Sequence, residues 1–342
     1  MQKTTFSIMK HSATLFLAGL AAAVLCWSAC TDNSGAPESE DTVIGAYVAG
    51  IGADLPDTRL VTHINFAFAS VNETFDGIDF NADALRQIAG LKKHCPRLKV
   101  LLSIGGWTSG RFSEMAADSL RRLSFARDCA QAVKEFRLDG IDMDWEYPTS
   151  SAAGISSSPD DTENFTLLMR DLREVLGSGK LLTLASVCTA LYIDFPAILP
   201  YIDFVNVMAY DMYDDKYGHH AALYRSENVG YCTADESVKM HLAAGVPADM
   251  IVLGMPFYGR GKPGYGLESE GVTEVWDDVA KAPLLFDADG NRVFGFENER
   301  SLIEKCNYIK ANGLRGGMYW EYNIDTPSHD FARTVHDNLV DR

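Results

Sequence analysis

The chain has 342 residues, 47% of them hydrophobic and 23% charged, and carries a formal net charge of −17. That is enough for one large, well-filled core. The acid is spread along the chain instead of being massed in a tail, which argues against nucleic acid as a partner; it reads as a solvated surface that aids solubility.

Residues 1–29 read as an export signal. Lys3 and Lys10 supply positive charge, and the apolar run from Leu15 to Trp27 is too short to span a bilayer comfortably. The run stops at Trp27-Ser28-Ala29-Cys30, with small residues just before a cysteine, as in bacterial lipoprotein signals. Cys30 is therefore the expected acylation site. Ordinary signal cleavage nearby is the alternative, because Trp27 stands where such sites usually carry Leu. The expectation is an exported protein, periplasmic or on the cell surface, that touches the membrane only through a lipid anchor. Residues 30–42, polar and rich in turn formers, are expected to be a flexible tether.

Residues 43–342 are expected to form one domain. Runs rich in β-branched and aromatic residues begin at Val43, Val61, Lys99, Asp139, Leu181, Phe204, Ile251 and Gly316. They alternate with amphipathic stretches, the pattern of a parallel sheet with crossover helices. Eight such strands, nearly continuous in hydrophobicity, are the number needed to close an α/β fold of the (β/α)8 TIM-barrel type. Phe125, Cys129, Ala132, Val133 and Phe136 predict one helix, and Phe165, Leu168, Met169, Leu172, Val175 and Leu176 a second, stopped by Gly177. Leu302, Ile303, Cys306 and Ile309 predict a third, stopped by Gly313. Between Tyr258 and that last helix lie about forty residues rich in Gly, Pro and turn formers, longer than an ordinary connection. They leave the C-terminal end of the seventh strand and are expected to form a loop lining a substrate groove. Cys95, Cys129, Cys188, Cys232 and Cys306 are widely spaced and carry no paired metal motif, so they imply no disulfide framework and read as small buried hydrophobes.

In Asp139-Gly-Ile-Asp142-Met-Asp144-Trp-Glu146, alternation on a strand puts Asp142, Asp144 and Glu146 on one face, inside the barrel, with Glu146 nearest the C-terminal mouth. Ile141, Met143 and Trp145 then face the helices, and Asp139, out of phase, is structural. Like charges buried together cannot all ionise cheaply, so one proton is held, and a carboxylic acid kept protonated is a general acid. A hard-cation site is the rival reading of clustered carboxylates; no adjoining His cluster supports it, and neither a metal nor a cofactor is expected. Alternate carboxylates stand roughly 6 to 7 Å apart, which a two-carboxylate rule would assign to an inverting glycosidase.

With these residues in view, the chain resembles glycoside hydrolase family 18, the chitinases and their relatives, whose fourth-strand motif is DGxDxDxE. The resemblance extends to SIGGW at Ser103–Trp107, MAYDM at Met208–Met212, MPFYGR at Met255–Arg260 and GGMYW at Gly316–Trp320. It implies retaining, substrate-assisted hydrolysis of β-1,4-linked N-acetylglucosamine, in which the sugar's acetamido oxygen attacks the anomeric carbon and no carboxylate nucleophile is needed. Glu146 would then be the general acid and base, Asp144 the partner of the acetamido N–H, and Asp142 the group sharing a proton with Asp144. Tyr210, facing the interior with Met208, would bind the acetamido oxygen, with Asp211 beside it. Trp320 would form the floor under the sugar. Trp107, Tyr258, Arg260 and Tyr47 would line neighbouring subsites.

The connection between strands seven and eight is too short for the α+β domain that many chitinases of the family insert there. A shallow groove and soluble or partly degraded chains follow as expectations. Release of N-glycans by an endo-β-N-acetylglucosaminidase is the alternative, and a glycan-binding protein without activity is a third reading, disfavoured by the presence of Glu146. A monomer is expected.

Overall fold

A computed structural model describes residues 42–340 apart from Ala53, Asp215 and Lys216. The expected signal segment, Cys30 and all of the tether but Thr42 lie outside the described residues.

The chain opens with β1 (Val43–Ala49), β2 (His63–Val71) and a short β3 (Ile78–Asp79) that folds back antiparallel on the end of β2. Next come α1 (Ala82–Gly90), β4 (Lys99–Gly105), α2 (Phe112–Ala116), α3 (Ser119–Phe136) and β5 (Gly140–Asp144). The middle of the chain supplies α4 (Asp161–Leu176), β6 (Leu181–Val187), α5 (Phe195–Ile198), β7 (Phe204–Met208), α6 (Ala234–Ala243) and β8 (Ile251–Pro256). Strands β9 (Arg260–Gly261), β10 (Thr273–Asp277), β11 (Ala282–Phe286) and β12 (Arg292–Gly295) follow, then α7 (Glu299–Ala311), β13 (Gly316–Trp320) and α8 (Asp330–Leu339).

Strands β1, β2, β4, β5, β6, β7, β8 and β13 pair in parallel in chain order, and β13 closes on β1. This is the closed (β/α)8 barrel that the apolar runs predict. Period-two alternation sorts the side chains. Ile141, Met143 and Trp145 pack into the layer beneath the helices, while Tyr47, Met208 and Met318 fill the barrel interior beside Tyr210 and Trp320. The helices start where short polar side chains cap them: Asp118 accepts from the backbone N–H of Leu120 and Arg121, and Asn298 and Ser301 form a reciprocal capping box on α7. Gly177 caps the end of α4 with φ of 73°. Asp139 accepts hydrogen bonds from Lys92 Nζ and the Val100 N–H, tying α1's trailing turn to the base of β4 and β5.

The segment after β8 differs from the loop that its composition predicts. β10, β11, β12 and β9 form a four-stranded antiparallel sheet in that order. Leu285, Val293 and Phe296 form a small core of their own beside it. The strands are short: β10–β11 and β11–β12 are hairpins, while β9 pairs with β12 across the whole insertion.

Candidate active site

The motif around β5 delivers its carboxylates at three depths. Asp142, in the middle of the strand, is fully buried, and its Oδ2 accepts from Tyr47 Oη at 2.8 Å and Ser103 Oγ at 2.7 Å. Its Oδ1 accepts from Thr183 Oγ1 at 2.6 Å and Asn206 Nδ2 at 3.0 Å. Those four bonds fill the acceptor capacity of an ionised carboxylate. Burial raises the Asp142 carboxyl above the ordinary range, and the four donors pull it back toward ionisation.

Asp144, at the last position of β5, has no such cradle. Its Oδ1 is buried and unpartnered. Burial first, then the charges of Glu146 and Asp142, push its carboxyl well above the usual range. The proton therefore settles on Asp144, because Asp142 has donors to support its charge and Asp144 does not.

Glu146 lies two residues beyond the hydrogen-bonded strand, half-buried at the barrel mouth. Burial, reinforced by the charge of Asp211, lifts it to about 7 against an opposing hydrogen bond from Tyr147. A carboxyl poised there can both give and take a proton near neutral pH.

Glycines let the chain come this close. A Cβ on Gly105, which has φ of 130°, would stand 1.9 Å from the Asp144 carbonyl oxygen, and one on Gly106, φ 90°, would stand 2.6 Å from the Phe68 ring. The Gly-Gly of the SIGGW motif is thus the seam between β4 and the carboxylate strand.

Around the carboxylates stands a ring of aromatic side chains. Trp320, at the end of β13, is stacked on Phe68 with centroids 5.5 Å apart and meets Tyr47 at 5.9 Å. Tyr210, just past β7, meets Tyr258 edge-on at 6.2 Å; burial first, then the nearby Tyr258, Asp144, Glu146 and Asp211, keep its hydroxyl protonated and able to donate. Met208 lies below it in the interior. Trp107 is 55% exposed and meets Tyr147 edge-on, and Tyr147 stacks on Tyr192 at 5.3 Å. Asp211 receives a two-pronged ion pair from Arg260, at 2.7 and 3.0 Å, and lies 3.7 Å from His220. Burial opposes its ionisation, but the bonds from His220 and Arg260 outweigh it and hold the carboxyl well below the usual range. Arg260 also lies 4.7 Å over the Tyr258 ring, and its ion pair with Asp211 pins β9 to the turn after β7.

Every sequence-predicted residue of the site thus falls at the C-terminal mouth or just beneath it, with one shift of setting. Tyr47 is 2% exposed and its hydroxyl is committed to Asp142, which places it under the carboxylates and not along an outer subsite. Ser103, Thr183 and Asn206, the other donors to Asp142, have no assigned role in the sequence reading. Their signal is a polar residue at an interior position of an otherwise apolar strand.

A family model for the glycosyl hydrolases of family 18 matches residues 38–325. Chitinase A1 of Niallia circulans is 33% identical over 71% of this chain, which spans 43% of that protein, less than half of its length. Chitotriosidase-1 of Mus musculus is 31% identical over 79% of this chain and 68% of its own. Among solved structures, a glycoside hydrolase family 18 N-acetylglucosaminidase from Paenibacillus barengoltzii superposes with a TM-score of 0.80 at 36% identity, covering 87% of this chain and 100% of that one.

Proposed function

Since this chain belongs to the glycosyl hydrolases of family 18, we propose that it hydrolyses chains of β-1,4-linked N-acetylglucosamine by substrate-assisted catalysis with retention, Glu146 serving as acid and then base. The observation that carries this reading is the gradient along one strand: Asp142 saturated by four donors, Asp144 unpartnered, Glu146 lifted to about 7.

The chemistry follows from that gradient. Glu146, protonated, gives its proton to the leaving glycosidic oxygen. The empty acceptor on Asp144 is a place for the acetamido N–H, which would turn the acetamido oxygen toward the anomeric carbon. As that oxygen attacks, positive charge develops beside Asp144, and the ionised Asp142 beneath it, joined by Glu146 as it gives up its proton, stabilises that charge. Tyr210 donates to the acetamido oxygen, and Trp320 offers a flat ring to the apolar face of the sugar. Glu146, now ionised, takes a proton from the water that opens the cyclic intermediate.

The named chitinases and the N-acetylglucosaminidase among the relatives support a chitin-type substrate over an N-glycan. Purified protein incubated separately with chito-oligosaccharides and with an N-glycosylated protein, with products read by mass spectrometry, tests the proposal. Cleavage of the oligosaccharides alone upholds it. Release of the glycan alone, leaving one N-acetylglucosamine on Asn, would keep the mechanism and replace the substrate.

We propose further that the export signal, the acylated Cys30 and a monomeric state complete the picture: a glycosidase held at the cell envelope by its N-terminus. Labelling with a radioactive or alkyne-bearing fatty acid in a bacterial host tests the anchor, with a C30S variant losing the label.

A further inference from the structure

His220, on the segment between β7 and α6, is buried and meets the turns that follow two neighbouring barrel strands. Its Nε2 lies 3.1 Å from the Tyr258 carbonyl oxygen, and its ring meets the Tyr258 ring at 5.2 Å. A carbonyl oxygen only accepts, so Nε2 carries a proton and donates it. The other ring nitrogen, Nδ1, is buried without a hydrogen-bond partner and faces Asp211 Oδ1 at 3.7 Å. Bare, Nδ1 would be an enclosed lone pair turned toward an anion. Protonated, it completes an ion pair.

Asp211 needs such support. Its backbone has φ of 57°, in the left-handed region that few residues other than glycine occupy. The next residue is tied to the same histidine, because the Met212 N–H donates to the His220 carbonyl at 2.9 Å. Arg260 grips both carboxylate oxygens, but its side chain is 46% exposed on a strand of two residues. His220 is enclosed and anchored at Tyr258, so it supplies the fixed point of the pair. With Oδ1 facing both Arg260 and His220, Oδ2 receives one bond from Arg260 and keeps acceptor capacity on a side chain that is 41% exposed.

We propose that His220 is an imidazolium whose Nδ1–H fixes the Asp211 carboxylate and leaves Oδ2 to accept from a sugar hydroxyl, an inference that rests on the chitin-type reading of the site. His220 is a positioning residue, since it acts through Asp211. The charged or titratable groups around its ring are Asp211 from the turn after β7, Tyr258 from the turn after β8 and Arg260 from β9. His219 beside it turns to Asp277 of β10, with Nε2 3.3 Å from Oδ2.

NMR of the full-length protein at pH 7, with histidine nitrogens isotopically labelled, reads the ring directly; the His220 signals are those missing from His220→Gln. Both ring nitrogens should carry a proton, and in Asp211→Asn the Nδ1 proton should be lost. Kinetics supply the second readout. His220→Gln keeps a donor for the Tyr258 carbonyl and leaves nothing beside Asp211, whereas His220→Asn sets an amide N–H where Nδ1 stood and gives up the Tyr258 arm. The KM for chito-oligosaccharides should rise about tenfold in His220→Gln with kcat nearly unchanged, as for a contact made equally in ground and transition states. His220→Asn should recover most of that loss, while a mere packing role would harm both variants alike. A bare Nδ1 in the parent, or equal KM values in the two variants, would overturn the proposal. A parent inactive on chito-oligosaccharides would instead overturn the substrate reading, and the state of Nδ1 would still decide for or against the imidazolium.

Discussion

Glu146 and Asp144 show how position along one strand assigns different chemistry to the same functional group. Glu146→Gln removes the transferable proton while keeping shape and hydrogen-bonding capacity. Turnover of chito-oligosaccharides should fall by at least about 10²-fold with binding retained, as steady-state kinetics and calorimetry would show; unchanged turnover would remove Glu146 from the acid role. The parent's rate should decline as pH rises through about 7, where Glu146 gives up its proton. The same shift carries a stability consequence. The folded value lies above the ordinary glutamate value of 4.5, so the group favours the folded state fully below that value, and its contribution is lost as pH rises through about 7. Glu146→Gln never ionises. Its melting temperature should therefore match the parent's near pH 4 and exceed it at pH 8, by roughly 1–3 kcal/mol of stability. At this scale the sequence was legible wherever parity decides direction: Asp142, Asp144, Met208 and Trp145 all lie on the sides that alternation assigns. What parity does not give is partnership. Thr183 and Asn206 sit on β6 and β7, and only the closed barrel brings them to Asp142.

Between elements, the critical contact is the crossing of β4 with β5. Gly105→Ala would drive a methyl group into the Asp144 carbonyl at a backbone angle that alanine disfavours. Either β5 moves or the strand end opens, and both displace Asp144 by more than catalysis tolerates. The expected result is loss of turnover greater than about 10²-fold and a lowered melting temperature; a fully active Gly105→Ala enzyme would show that the seam is softer than its geometry. The barrel strands were readable because burial on both faces writes a continuous apolar run into each one. The insertion was not, because its strands are short and Thr273, Glu274 and Val275 of β10 are exposed. Its Gly and Pro content describes the turns, while the pairing of β9 with β12 depends on contacts across the whole segment. Even in the barrel, the motifs outrun the strands: Glu146, Tyr210 and Tyr258 lie in turns past the last ladder bond, where composition continues but pairing stops.

At the scale of the whole molecule, a four-stranded sheet is added after β8 and pinned by Arg260 to Asp211 beside the barrel mouth. The shallow groove that we propose for this site would offer little grip on a chain lifted from a crystal. Rates per N-acetylglucosamine unit should be far higher on soluble chito-oligosaccharides than on crystalline chitin, measured by reducing-end release; equal rates would show that the groove grips more than its outline suggests. The charge of −17 bears on encounter and not on recognition, since a neutral sugar feels little of that field.

One further property follows from Trp320 lying at the mouth between Phe68 and Tyr47. An indole half open to water emits at long wavelength, and a sugar laid across it displaces that water and changes the emission. The molecule therefore carries its own optical gauge of occupancy: titrating Glu146→Gln protein with chito-oligosaccharide should shift tryptophan fluorescence in a saturable way. Trp320→Phe in the same background should silence most of the signal, leaving what the exposed Trp107 reports. A titration curve that survives that replacement intact would place the bound sugar elsewhere.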